Sequence, residues 1–109
     1  MKIIILALMT VVVAFAVHAQ PTSDQIARSL GEMEWHASVC RLPTAPLEAA
    51  LDRYLQRVQA GPLEAEHLRQ EMLAGRTEYE QVFGSHINCQ DAAAGVADII
   101  EKTDRYGLR

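Results

Sequence analysis

The chain has 109 residues, about half of them hydrophobic, and a formal net charge of −4 at pH 7 with neutral histidines. A negative chain without a Lys/Arg-rich stripe repels phosphate backbones, so nucleic acid is not an expected partner. A chain of this length forms one domain with a modest core. Additional covalent stabilisation would therefore matter for its fold.

The first nineteen residues have the pattern of a secretory signal peptide. Lys2 supplies the positive start, residues 3–17 are apolar apart from Thr10, and Val17 and Ala19 precede a cleavage position before Gln20. The apolar run is shorter than the roughly 20 residues that usually cross a bilayer. We therefore expect cleavage after residue 19, a single helical domain over 20–109, a periplasmic or secreted location, and no stable membrane insertion after cleavage.

Two cysteines, Cys40 and Cys89, follow this segment. In an oxidising compartment two such cysteines most simply form a disulfide. Closing a loop of about fifty residues is worth on the order of 4 kcal/mol in the chain-entropy model. The sequence thus predicts a bridge that contributes much of the stability of a small domain.

The first two predicted helices have clear start signals. Residues 22–25, Thr-Ser-Asp-Gln, offer a capping box, and Pro43 stops the helix that follows. A second helix is predicted to start near Thr44 and to end at Gly61, taken as a left-handed terminator, before Pro62. The expected apolar faces are Ile26, Leu30, Met33, Ala37 and Cys40, then Leu47, Leu51, Tyr54, Leu55 and Val58.

The third predicted helix starts at Pro62 and ends at Gly84, with Gly75 as a destabilising position in its interior. The fourth runs from about Cys89 to Tyr106, with Ser85 or Asn88 as its cap. The expected apolar faces are Leu68, Met72, Gly75, Tyr79, Val82 and Phe83, then Cys89, Ala93, Val96, Ile100 and Thr103. Exposed i,i+4 ion pairs are expected from Asp98 to Lys102 and from Glu101 to Arg105.

Four helices joined by short connections favour an all-α, up-down-up-down four-helix bundle. In that topology the end of the first helix and the start of the fourth lie at the same pole. Cys40 and Cys89 occupy those two positions, so the predicted disulfide and the predicted bundle agree.

The alternative to a disulfide is a metal site. His36, Cys40, His86 and Cys89 would meet at the same pole as a tetrahedral set of two nitrogens and two sulfurs that suits zinc. Such a site needs thiolates, and an oxidising compartment disfavours them. Away from the pole, His67 and Glu71 offer a two-ligand surface contact of a kind that is common by chance.

No motif in the sequence indicates catalysis. Glu64 and His67 give a single Glu-x-x-His, whereas di-iron bundles need two, and Ser85 lacks the nucleophile-elbow pattern. The sequence also has no Gly-rich phosphate loop and no C-x-x-C pair. We therefore expect a protein that is not an enzyme and needs no cofactor.

Trp35 is the single tryptophan, and it lies beside the main apolar stripe of the first helix. One interpretation is that it widens the buried face near the bridge. The other is that Trp35 and His36 form a partner-binding surface, because tryptophan is enriched among interface hot spots.

At the level of architecture the chain is similar to small exported helical proteins with one long-range disulfide, including periplasmic acid-stress chaperones and periplasmic immunity proteins. No residue-level motif matches either group, so no functional residue is carried over. The sequence therefore predicts an exported, non-enzymatic protein that binds an envelope or secreted protein, in a chaperone-like or inhibitor-like manner. The alternative function is metal binding through His36, Cys40, His86 and Cys89.

Overall fold

A computed structural model describes residues 20–84 and 86–108, and within these residues all regular structure is helical. The four helices are α1 (Ser23–Val39), α2 (Ala45–Arg57), α3 (Pro62–Phe83) and α4 (Ala92–Arg105). The predicted all-α class is confirmed. The predicted signal peptide, 1–19, and Ser85 lie outside the described residues. None of the described helices is long and apolar enough to cross a membrane.

Contacts between helices confirm the up-down-up-down bundle. Asp24 at the start of α1 contacts His67 in α3, and Glu34 further along α1 contacts Arg76 further along α3, so these helices run parallel. α4 runs antiparallel to α1, because the disulfide joins the end of α1 to the residues just before α4. α1 packs against all three other helices, and α3 packs mainly on α1.

The first two helices end in left-handed residues that are not glycine. Arg41 after α1 has φ of 60°, and Gln59 after α2 has φ of 54°. In each case the following amide reaches back to a carbonyl of the last turn, from Leu42 to Ala37 and from Ala60 to Leu55, as in a Schellman motif. The prediction of a left-handed Gly61 was wrong, because Gly61 is extended at φ −73° and serves as the N-cap of α3.

The helix starts match the sequence signals for α1, α2 and α3. Thr22 and Gln25 form the predicted capping box, with reciprocal hydrogen bonds of 2.9 and 3.2 Å. The fourth helix begins at Ala92, later than predicted. Asn88 does not cap it; its side-chain oxygen accepts a hydrogen bond from Gln90 N within the preceding loop. Cys89 therefore lies in a loop and not on a helix.

The apolar core lies mainly between α1, α2 and α3. α4 adds two buried residues, Ala92 and Thr103, and several half-buried aliphatic side chains. The buried apolar residues of the core cluster are Ile26, Ala27, Leu30, Ala37, Leu47, Ala50, Leu51, Tyr54, Leu55, Leu68 and Met72. The predicted exposed pairs on α4, Asp98 with Lys102 and Glu101 with Arg105, are both present.

Two glycines allow α1 and α3 to touch backbone to backbone. A Cβ at Gly31 would lie 1.8 Å from the Met72 carbonyl oxygen, and a Cβ at Gly75 would lie 2.3 Å from the Arg28 carbonyl oxygen. Both glycines are buried. The interpretation of Gly75 as merely destabilising was incomplete, because only glycine fits this crossing.

The pole opposite the disulfide is closed by polar contacts. Arg57 of α2 donates hydrogen bonds to the carbonyl oxygens of Tyr106, at 2.9 Å, and Thr103, at 2.7 Å. Its guanidinium therefore satisfies carbonyls at the C-terminal end of α4. Close by, the hydroxyls of Ser23 and Tyr54 share a hydrogen bond of 2.7 Å.

Candidate partner-binding site

The disulfide anchors the site. Cys40 and Cys89 are bonded, with Cα atoms 5.4 Å apart, which confirms the predicted bridge. Cys40 is half-buried at the C-cap of α1, and Cys89 is exposed in the loop before α4. The bridge therefore ties the end of α1 to the loop before α4.

The bridge also engages two of the four residues of the alternative metal site. A disulfide sulfur is not a thiolate, so Cys40 and Cys89 cannot act as zinc ligands while the bond is intact. His36 and His86 remain at this pole, with His36 half-buried and His86 exposed. The site built from His36, Cys40, His86 and Cys89 stays a prediction for the reduced chain.

Trp35 connects α1 to the end of α3. Its side chain is half-buried, and its indole N–H donates to the Gly84 carbonyl oxygen at 3.3 Å. The guanidinium of Arg76 lies 6.0 Å from the ring, within the range of a cation–π contact. Trp35 thus has a supporting contact and an accessible part, so both interpretations of this residue describe part of its environment.

His36 of α1 packs against the first of two aromatic side chains that follow one another along α3. Its Nε2 lies 3.2 Å from the Asn88 carbonyl oxygen, and its ring lies against Tyr79 with centroids 6.4 Å apart. Tyr79 in turn packs on Phe83 with centroids 4.5 Å apart and a tilt of 42°. Both centroid separations lie in the range over which aromatic rings attract one another.

Side chains at the C-terminal end of α3 are exposed to solvent. The exposed fraction is 74% for Val82 and 45% for Phe83. These two residues and the half-buried Trp35, His36 and Tyr79 lie at the same end of the bundle, and we call the five together the aromatic pole. Exposed apolar residues that cluster in this way are typical of interaction sites.

Sequence reasoning had placed Val82 and Phe83 on the buried face of the third helix, and that expectation was wrong. The apolar stripe of α3 continues to Phe83, but the buried residues of this helix are Leu68, Met72 and Gly75. The periodicity of the stripe does not indicate where its burial ends.

Glu34 and Arg76 form a partly buried ion pair next to Trp35. Glu34 is buried, and one of its oxygens accepts a hydrogen bond of 2.7 Å from Arg76. Since Arg76 also contacts the Trp35 ring, one guanidinium links the α1–α3 packing to the accessible surface. The helical pattern did not indicate this pair, because Glu34 and Arg76 come from different helices and meet only where α1 packs on α3.

A cavity of about 310 Å³ lies on another side of the bundle, between α1, α2 and α3. It lies away from Trp35 and His36, which do not line it. The lining residues are Glu34, Glu48, Leu51, Asp52, Arg69, Met72 and Leu73.

Comparison of the chain with protein-family models, with curated proteins and with solved structures finds no match.

Proposed function

We propose that the mature chain is an exported, non-enzymatic protein that binds another extracytoplasmic protein through the aromatic pole. The observation that carries the proposal is the exposure of Val82 and Phe83 beside the disulfide, next to the packed rings of His36 and Tyr79. Burying these side chains against a partner would remove apolar surface from water, which is the main favourable term in most protein association.

The contacts that hold the residues of the aromatic pole in place support its role as a binding surface. Trp35 is tied to the end of α3 by its indole hydrogen bond, and Cys40 is tied covalently to Cys89. Side chains that are already held in place lose less conformational entropy when a partner binds. The aromatic pole therefore combines exposed anchor residues with a low ordering cost.

The composition of the pole favours a protein as the partner. Aromatic side chains, with Val82 at the edge, make up the surface, and the chain carries a net negative charge. A nucleic acid would need a basic surface, which is not what these residues provide. Aromatic side chains, in contrast, are enriched at the centres of protein interfaces.

The rigidity of the pole favours a fixed partner, as for an inhibitor or immunity-like protein, over a changing set of unfolded clients, as for a chaperone. Promiscuous binding surfaces are usually flexible and can repack around different partners. The aromatic pole instead contains rings packed on one another at the same end of the bundle as a covalent bridge. We therefore expect one principal partner.

Site-specific photo-crosslinking in the native envelope tests the proposal. A photoreactive amino acid replaces Val82 in one variant and Leu63 in the control, since both side chains are largely exposed on α3 but lie at opposite ends of the helix. We expect one discrete crosslinked species from position 82 and not from position 63. Adding Phe83→Ser to the position-82 variant should abolish that species.

Three results would contradict the proposal. One is the absence of any crosslink from position 82, and another is the same species from position 63. The third is a retained precursor mass that includes residues 1–19, because the proposal is for a chain released by cleavage after residue 19. Many different crosslinked proteins from position 82 would favour the chaperone-like alternative.

A further inference from the structure

The two helices that pack most closely also bring three metal-ligating side chains together, far from the aromatic pole. Asp24 in the first turn of α1 lies beside His67 and Glu71 of α3, and one donor atom from each of the three lies within 4.8 Å of the others. Asp24 is eleven residues before Trp35, or about 16 Å along the helix. This cluster is therefore separate from the proposed partner-binding site.

We propose that Asp24, His67 and Glu71 form a binding site for a divalent transition cation of the zinc type. The donor set is one imidazole nitrogen and two carboxylate oxygens, a combination that zinc sites use. Hard cations such as Mg²⁺ and Ca²⁺ prefer oxygen donors alone. The imidazole is the feature that points to a transition cation.

The spacing of the donor atoms fits such an ion. The His67 Nε2 atom lies 3.1 Å from Asp24 Oδ1 and 3.2 Å from Asp24 Oδ2. Ligands at about 2.0–2.1 Å from a tetrahedral ion are separated from one another by about 3.3 Å.

The backbone holds the three residues in this arrangement. Asp24 lies within the capping box of α1, which fixes the first turn. His67 and Glu71 are four residues apart, so they lie on the same face of α3. The close contact at Gly31 and Gly75 sets the position of α3 on α1. Little conformational order remains to be created when a cation binds.

Arg28 forms ion pairs with Glu71 of the cluster and with Glu78 next to it. Its Nε donates to Glu71 Oε2 at 2.5 Å, and its Nη1 donates to Glu78 Oε2 at 2.8 Å. A carboxylate has two oxygens, so Glu71 can keep this bond through Oε2 while Oε1 binds a cation. Hydrogen-bonded carboxylate ligands of this kind are usual in metal sites. Because Arg28 is shared with Glu78, the local charge stays negative and attracts a cation.

Titration calorimetry with zinc chloride tests the site. The chain should carry no affinity tag, should keep its disulfide, and should be freed of metal with a chelator that is then removed. We expect one saturable zinc site per chain, no binding of Mg²⁺ at the same concentration, and a melting temperature that rises with zinc concentration. His67→Gln and Asp24→Asn should each weaken zinc binding at least tenfold.

His86→Gln is the matched control, because His86 is exposed at the other pole and belongs to no part of the cluster. It should bind zinc as the unmodified chain does, and circular dichroism should show equal helicity in all variants. The proposal is overturned by three outcomes: no saturable zinc binding, unchanged affinity in His67→Gln, or loss of binding in His86→Gln. Failure of this site would leave the aromatic pole untouched, since the crosslinking test involves none of its residues.

Discussion

The two poles of the bundle are closed by different means. At one pole a disulfide joins Cys40 to Cys89, and aromatic side chains remain exposed beside it. At the other pole Arg57 satisfies the last carbonyls of α4, and Ser23 bonds to Tyr54. At the first pole a covalent bond holds the segments together while Val82 and Phe83 stay exposed. At the opposite pole hydrogen bonds between polar groups of different helices do this work.

Removing the disulfide should have the largest effect on stability. The Cys40→Ser/Cys89→Ser double variant should lose about 4 kcal/mol of unfolding free energy, because the unfolded chain regains the freedom of a long loop. Chemical denaturation measures the loss. Hydrogen exchange should show more lost protection near His36 than near Arg57. Equal loss at both poles, or an unchanged midpoint, would show that the bridge does not hold its pole.

The second largest effect on stability is expected at the crossing of α1 and α3. Gly31→Ala should cost about 3 kcal/mol, because the added methyl group would overlap the Met72 carbonyl and force the backbones apart. Gly95→Ala is the matched control. Its added methyl group would meet only the Met33 side chain at 3.5 Å, so better helix propensity should raise stability slightly. The prediction fails if the two variants shift the melting temperature in the same direction.

Arg57→Met tests the polar pole. It keeps the apolar stem but removes the hydrogen bonds to Tyr106 and Thr103, so we expect a loss of about 2 kcal/mol in thermal or chemical unfolding. Arg69→Met removes only an exposed contact of 3.5 Å with Asp52 and should cost less than about 1 kcal/mol. Similar losses in both variants would mean that Arg57 does not cap α4.

The smallest expected effect is the contribution of Asp104 to stability, which depends on pH. Hydrogen bonding from Arg53, with attraction from Arg53 and Arg57, lowers the pKa of Asp104 below its ordinary value. A carboxyl group with a lowered pKa in the folded state stabilises the fold above its unfolded pKa of about 3.9 and loses that contribution as pH falls through the folded value. Because the pair is partly exposed, Asp104→Asn should cost less than about 1 kcal/mol at pH 7. The difference in unfolding free energy between Asp104→Asn and the unmodified chain, measured by chemical denaturation, should shrink below pH 4. A difference that stays the same size at low pH would argue against a stabilising pair of Asp104 and Arg53.

The sequence predicted the parts of the fold that depend on local signals. The capping box at Thr22, the start at Pro62 and the pairing of Cys40 with Cys89 follow from residue type, spacing and topology. Features that depend on how helices meet were missed. Gly75 looks like a weak position in a single helix, and only the position of α1 shows that it permits a close crossing. In the same way, Gln59 adopts a conformation that sequence rules assign to glycine.

The candidate site was predicted in part. Trp35 and His36 were identified because a lone tryptophan beside a disulfide stands out in the sequence. Val82 and Phe83 were not, because an apolar stripe does not reveal where its packing partner ends. Asp24 was missed as a neighbour of His67 and Glu71 for a related reason, since it comes from a different helix and reaches them only through the parallel packing of α1 and α3.

The most direct test of the account is the affinity of the crosslinked partner for two single variants, measured by calorimetry with purified proteins. Phe83→Ala should weaken binding by more than about 1 kcal/mol, or roughly fivefold in Kd, as expected for an aromatic anchor. Leu63→Ala, which removes an exposed apolar side chain from the other end of α3, should leave Kd unchanged. Equal affinities for Phe83→Ala and the unmodified chain would contradict the assignment of the aromatic pole as the binding surface.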